Sequence, residues 1–293
     1  MSNDSSSVLP SYEELFSRNI GIVSTNEQLV LSNSKVGIAG VGGVGGAHAI
    51  TLARMGVGEF YLADPDIFEP ANMNRQAGAT ISTLGRQKGV VIKEMILSIN
   101  PKAKVTVFEK GLTNENLSDF LNGVDIILDG LDAFAIPIRR KLYEACSKKE
   151  KFVIASGPLG LTGTLHVFGP GSMSFEKYFD FKSCRNFEEC FVAFIVGTCP
   201  SFLQLGQIDS QSVNIEKQQG PSLAPSINLC AALTGAEALQ ILIHKKSNLL
   251  APRFLQFDLQ KKRMVRKYLY FGNRNPIQKL KRKIVLFILK RKK

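Results

Sequence analysis

The sequence contains no tryptophan, only three histidines, and five cysteines without a CxxC pair among them. An odd, scattered thiol set (Cys146, Cys184, Cys190, Cys199 and Cys230) excludes a disulfide scaffold and a four-thiolate zinc site. No zinc is expected, and the cysteines read first as small buried apolar groups in a reducing compartment. His48, His166 and His244 are too widely spaced to suggest a metal site, and His48 reads as a packing residue. No unbroken apolar run reaches about 18 residues, so a spanning helix is not expected. The N-terminal MSNDSSSVLPSYEELF lacks a basic cluster followed by an apolar block, so it does not read as a secretory signal. The expected location is the cytoplasm, with the inner face of a membrane as a second setting raised by the C-terminal tail.

What is present is enough apolar content to close a core: 44% of the 293 residues are hydrophobic and 21% charged, which excludes disorder of the chain as a whole. The net charge of +12 is concentrated at one end. From Arg253 to Lys293 there are 15 Lys and Arg against a single acid, Asp258, giving +14, so residues 1–252 carry −2. A nearly neutral body with a cationic appendage argues for an anionic partner at the C-terminus, and against a nucleic-acid-binding fold throughout.

Along the chain, residues 1–11 are Ser-rich and polar, and are expected to fray. One or two short helices over YEELFSRNIGIVSTNEQLVL should follow. From Lys35 strands and helices alternate: KVGIAG, a glycine turn, HAITLARMG, EFYLAD, a long loop, and a helix over 85–99 that stops at Asn100-Pro101. VTVF at 105–108, a short helix near 114–122, VDIILD at 124–129, a helix over 134–148 and FVIAS at 152–156 complete the series. Near-continuous apolar strands between amphipathic helices predict a doubly wound, mostly parallel, Rossmann-like α/β sheet. Past Gly157, TGTLHVFG alternates as an antiparallel strand does, 172–222 reads as irregular, 226–244 as a long packing helix, and FLQFDLQ with MVRKYLYF as a terminal hairpin. The predicted organisation is an N-terminal helical segment (1–34), a nucleotide-binding half (35–157), a carrier-binding and dimer half of the same domain (158–271), and a basic amphipathic tail (272–293).

Gly40-Val41-Gly42-Gly43-Val44-Gly45 satisfies GxGxxG after a strand and before a helix, where bare amides and a positive dipole end can receive phosphate. Asp64 ends the second strand at the place where an acid can take ribose hydroxyls. These two features alone fit a nicotinamide dinucleotide as well as ATP. The loop D-P-D-I-F-E-P-A-N-M-N-R-Q, residues 64–76, adds Arg75 and Gln76, Lys88 enters at the next helix, and Asp132 follows strand VDIILD. Cations can neutralise charge that shifts onto pyrophosphate and an acid can hold Mg²⁺, whereas hydride transfer needs none of them. The bland reading of each, a surface cation or a helix-capping aspartate, weakens because they occur in order.

At FSRN (16–19), GVGGVG (40–45), DPD…NMNRQ (64–76), GRQK (85–88) with INP (99–101), and LDGLD (128–132), the sequence resembles the ThiF/MoeB/HesA family of ubiquitin-activating-enzyme-like adenylyltransferases. The resemblance runs from about Phe16 to Leu242. It implies that Gly40, Gly42, Gly43 and Gly45 line the nucleotide, that Asp64 holds the ribose, and that Asn72, Arg75, Gln76 and Lys88 face the phosphates. It further implies that Asp132 is the magnesium-associated aspartate, and that Arg18 reaches across a homodimer into the partner's ATP site. The activity implied is adenylation of a carboxylate, at the C-terminus of a ubiquitin-like or sulfur-carrier protein or a peptide, with release of pyrophosphate. ATP and Mg²⁺ are the implied cofactors.

Three departures stand against that pattern: the family's two zinc-binding CxxC pairs are missing, Ala133 replaces the usual Asn after Asp132, and none of Cys184, Cys190 and Cys199 has flanks that mark an acyl-accepting thiol. Adenylation without a thioester step is the expected chemistry. In the tail, 276–293, Ile277, Leu280, Ile284, Phe287 and Ile288 fall on one helical stripe bounded by cations. That pattern suits a helix lying on an anionic membrane surface, or a helix docking its stripe on the body or on a dimer mate. Nucleic acid is not the expected partner, because no aromatic residues interleave for base stacking. Two rivals remain: a nicotinamide-dependent oxidoreductase, and a non-catalytic module that binds nucleotide or a ubiquitin-like protein at a membrane.

Overall fold

A computed structural model describes residues 9–290. The expected fraying of residues 1–11 falls largely outside the described residues, as do the final Arg291, Lys292 and Lys293. The first half follows the sequence pattern closely. Two capped helices, α1 (Tyr12–Leu15) and α2 (Thr25–Asn33), each begin with a Ser whose hydroxyl accepts from the Glu three residues on, while that Glu accepts from the Ser backbone. They lead into β1 (Lys35–Ala39), α3 (Gly43–Arg54), β2 (Glu59–Ala63), α4 (Lys88–Ile99), β3 (Lys104–Phe108), α5 (Leu117–Phe120), β4 (Ile126–Asp129) and α6 (Ile136–Lys148). The predicted start of α4 at Gly85 was three residues early. Residues 85–87 instead bridge back to 66–68, and the Gln87 side chain accepts from Val90 N–H as the N-cap.

β5 (Phe152–Leu159) pairs parallel to β4 and antiparallel to β6 (Thr162–Phe168), and β7 (Arg253–Asp258) and β8 (Arg263–Tyr268) extend the sheet antiparallel. The eight strands form one sheet in the order β3-β2-β1-β4-β5-β6-β7-β8. The fold class read from the sequence is therefore correct: a doubly wound, mostly parallel sheet with an antiparallel C-terminal extension. The chain runs outward from β1 in one direction and from β4 in the other. A crevice must therefore open at their carboxyl ends, where the two connections leave on opposite faces.

Two apolar layers sandwich the sheet. One joins Leu52, Ile92, Ile96, Ala238 and Ile241 to the strand residues Ile38, Leu62 and Leu128. The other joins Ile127 and Leu142 to an aromatic cluster of Tyr143, Phe168, Phe175, Phe179 and Phe191. That second layer corrects the sequence reading. Residues 172–222 are not irregular throughout, since they contain α7 (Phe175–Phe179) and α8 (Phe187–Thr198). α8 reads FEECFVAFIVGT, apolar on nearly every face, so no 3.6-residue periodicity marks it; Asn186 caps it by accepting from Glu189 N–H. The expected packing helix is α9 (Ala224–His244), which by length and composition alone is also long and apolar enough to cross a membrane. Here it lies against α3 and β5, half buried, and its apolar surface is used in the first of these layers. The chain ends in α10 (Pro276–Lys290).

Candidate functional site

The crevice at the carboxyl ends of β1 and β4 is built by three glycines in backbone contact. Gly40 turns at φ +80°, and a Cβ there would come 2.5 Å from Gly130 O; a Cβ on Gly45 would run into Gly40 O, and one on Gly130 would stand 2.6 Å from Gly45 Cα. The turn leaving β1 and the turn leaving β4 therefore stack main chain on main chain, which only glycine permits. Gly42 and Gly43 serve a different purpose. Gly42, the N-cap of α3, has nothing nearer than the Gln76 amide at 3.5 Å from where a Cβ would sit, and Gly43 faces Ile227 and the stem of Arg75. The motif thus divides into two glycines that close the fold and two that leave the helix N-terminus open.

Asp64 stands beside this turn, 4% exposed, with Oδ2 accepting from Val41 N–H (2.7 Å) and Oδ1 from Asp66 N–H (2.9 Å). Burial pushes its carboxyl above the usual carboxylate range, against the opposing pull of these two amides and of the Lys88 charge. Lys88 is itself buried, and its Nζ pairs with Asp66 Oδ2 at 3.0 Å, while the Asp66 side chain remains 64% exposed. A buried ammonium held by an exposed carboxylate can be transferred to a competing anion without first being pulled out of solvent. Gln76 is buried, and its Oε1 has no hydrogen-bond partner in the structure. An orphaned amide oxygen beside the open Gly42 is a place prepared for a donor that is not part of this chain.

The remaining expected residues are placed less directly. Asn72 is buried and accepts from Glu69 N–H through Oδ1, closing the turn that carries Arg75. Arg75 sends one amino group back to Ala71 O and Asn74 Oδ1, both at 2.8 Å. Its stem lies over Gly43, so the guanidinium is near the helix N-terminus without being aimed into the crevice. Asp132, two residues beyond Gly130, is exposed and accepts from Phe134 N–H at 2.9 Å. Arg18 does not join the cluster. It is exposed, and its neighbour Asn19 donates to Met55 O at the far end of α3, about 18 Å from the helix start at 1.5 Å per residue.

A scan of the chain against known families matches the ThiF family over residues 16–278. The chain belongs to the ThiF family. Among curated relatives it is 37% identical over 142 residues to a tRNA threonylcarbamoyladenosine dehydratase of Bacillus subtilis, covering 48% of this chain and 55% of that protein. It is 32% identical over 148 residues to the sulfur carrier protein ThiS adenylyltransferase of Escherichia coli, covering 50% and 58%. The chain spans just over half the length of these curated relatives. Solved structures give the same fold. PaaA superposes with a TM-score of 0.66 at 20% identity, covering 92% of this chain and 77% of that one. E. coli MccB with ATP superposes at 0.62 and 20%, covering 84% and 66%.

Within this ThiF-family site, one group was missed from the sequence. Asp129, the last residue of β4, accepts from Arg139 Nε (2.8 Å) and Tyr143 Oη (2.9 Å) in the interior; Arg139 also donates to Leu131 O (2.6 Å) and Asp132 O (3.0 Å) and lies under the Phe194 ring. This buried pair fixes the loop that presents Gly130 and Asp132. The signal was available: an acid closing an otherwise apolar strand must find a cation, and Arg139 with Tyr143 one turn later supplies the face of a helix that could meet it. Cys184 and Cys199 are poorly suited to nucleophilic chemistry. Burial pushes Cys184 up to about 12 and Cys199 higher still, so neither is a thiolate near neutrality. His48 is buried with Nε2 3.1 Å from Ser156 Oγ, in a packing position as expected.

Proposed function

We propose that this chain uses ATP to adenylate a carboxylate carried by a protein or peptide, releasing pyrophosphate. The observation that carries the reading is the convergence of Lys88, Asp64 and the unpartnered Gln76 Oε1 on the open start of α3. A helix N-terminus with a buried cation receives phosphate, and the acid beside it suits ribose hydroxyls. Carboxylates are poor electrophiles until a good leaving group is attached, and AMP is such a group. The chain's own residues would mainly position the reactants and screen charge: Lys88 exchanges Asp66 for a phosphate oxygen, and Arg75 releases its loop carbonyl to do the same. Mg²⁺, where bound, would be held by Asp132 and supply further charge neutralisation. A single open carboxylate fits that ion, which takes one or two protein carboxylates and completes its shell with phosphate and water.

A carrier protein is supported by the relative named a sulfur carrier protein ThiS adenylyltransferase. A carboxylate borne by tRNA is the second reading. Nucleic acid is not the partner expected from the sequence, but the B. subtilis relative, named a tRNA threonylcarbamoyladenosine dehydratase, favours it. The homodimer is proposed from the placement of Arg18, which is too far from its own crevice to act there. Mixing Arg18→Ala with Lys88→Ala tests it: heterodimers should regain part of the ATP–pyrophosphate exchange that each variant lacks, and no regain removes the shared site. The proposal itself is tested by comparing ATP with NADH in a binding titration of the full chain. NADH binding tighter than ATP would return the site to an oxidoreductase.

A further inference from the structure

α10 docks on the body with its polar face. Gln278 Nε2 and Lys281 Nζ both donate to Pro200 O, at 3.2 and 2.5 Å, and Lys281 also lies over the Phe202 ring. Arg282 pairs with Asp180 at 3.0 Å, both side chains nearly buried, and reaches Ser183 Oγ at 3.1 Å. The expectation that a docked tail would bury its apolar stripe is therefore reversed. Ile277, Leu280, Ile284, Phe287 and Ile288 are exposed over 63%, 58%, 47%, 56% and 42% of their surfaces, on the side of the helix roughly opposite the docked face.

Basic residues frame the stripe. Lys279 and Lys283 are exposed along its flank. The edge strand β8 exposes Arg263, Arg266 and Lys267, and the Lys267 charge adds to burial in lowering the pKa of Lys281. Tyr270 and Phe271, which lead toward the helix, are each 65% exposed. The one acid of residues 253–293, Asp258, is fully buried, so among the described residues this segment exposes no acidic side chain of its own.

We propose that α10 lies in the interface of an anionic bilayer, with the stripe at the acyl boundary and Lys279 and Lys283 at the headgroups, while the Arg282–Asp180 pair holds the body against the leaflet. Charge chooses this occupant over a second copy of the chain. Stripe-to-stripe pairing would set two cationic helices side by side, and residues 1–252 carry only −2 in total to receive one. The helix is too short in its unbroken apolar run, Ile284–Leu289, to cross, and lies flat. The inference is independent of the adenylation chemistry, which sits at the other half of the sheet.

The test is sedimentation of the full chain with phosphatidylcholine vesicles containing phosphatidylglycerol, against phosphatidylcholine alone, at low and high salt. The chain should pellet with the anionic vesicles and be released by salt. Lys279→Glu with Lys283→Glu should lower the partition coefficient by at least about 25-fold, at roughly fivefold for each lysine charge lost, with the added carboxylates lowering it further. Ile284→Ser with Ile288→Ser should lower it as well, and an unchanged thermal midpoint shows that these exposed changes leave the fold intact. No pelleting, equal pelleting with both vesicles, or full pelleting of both double variants overturns the proposal. So does a lipid-free dimer that Ile284→Ser converts to monomer, since it would give the stripe to a second copy.

Discussion

The two halves of the sheet use charge in opposite ways. Around β1, β2 and β4, charged groups are drawn inward and left one exchange short of satisfaction: Lys88 is buried yet held by the exposed Asp66, and Gln76 keeps an unpartnered oxygen. Around β7, β8 and α10, cations stay on the surface or dock the tail, while an apolar stripe is turned outward. The first arrangement suits a small, densely charged ligand that must displace something to bind. The second suits a broad surface that is anionic outside and apolar beneath.

The comparison is sharpened first inside the nucleotide half, by separating charge that builds the site from charge that works in it. Arg139→Ala would leave Asp129 and Tyr143 buried without their cation, and should destabilise the fold by about 3–5 kcal/mol in denaturant unfolding. A loss below about 1 kcal/mol would mean that the pair does not hold the Asp132 loop. Lys88→Ala should do the reverse, lowering ATP–pyrophosphate exchange by about 10²–10³-fold while the unfolding midpoint shifts little. If Lys88→Ala kept full exchange, the role given to its ammonium would be wrong.

How much of this was legible depended on how each element earns its place. The βα units of residues 35–156 announce themselves because each strand is apolar, each helix periodic and each turn marked by glycine or proline. The order of Asp64, Arg75, Lys88 and Asp132 around them was readable for the same reason. What the sequence concealed was the division of labour among the four glycines, since Gly45 and Gly42 look alike until Gly130, 85 residues away from Gly45 in the chain, is seen to pack on one and not the other. It also concealed α8, whose apolar residues face in every direction. The orientation of α10 was hidden too: periodicity located the stripe but could not say which face meets the body, because that is decided by Asp180 and the Pro200 carbonyl on distant elements.

Two smaller effects extend the comparison. His48 and His166 are held neutral by burial, with values pushed down to about 3 and about 4 from 6.5. The unfolded chain takes up their protons first, so the stability they support is present above about pH 6.5 and lost as pH falls toward those lower values. His48→Gln should flatten the acid limb of a plot of unfolding midpoint against pH, and an unchanged slope would place the imidazole in contact with water. At the other end of the molecule, Leu280→Ser should change unfolding free energy by no more than about 0.5 kcal/mol, as expected for a surface position. A larger loss would show that the stripe is packed against the body after all.

The central claim is that the crevice between β1 and β4 converts a carboxylate into an acyl-adenylate, and incorporation of radiolabelled pyrophosphate into ATP measures that directly. With peptides ending in a free carboxylate, Gly-Gly peptides among them, the full chain should return label to ATP, and amidation of the terminal carboxylate should abolish it. Label returned equally with the amidated peptides, or no return with any carboxylate, whether on peptide, carrier protein or tRNA, while ATP is bound, would contradict the account.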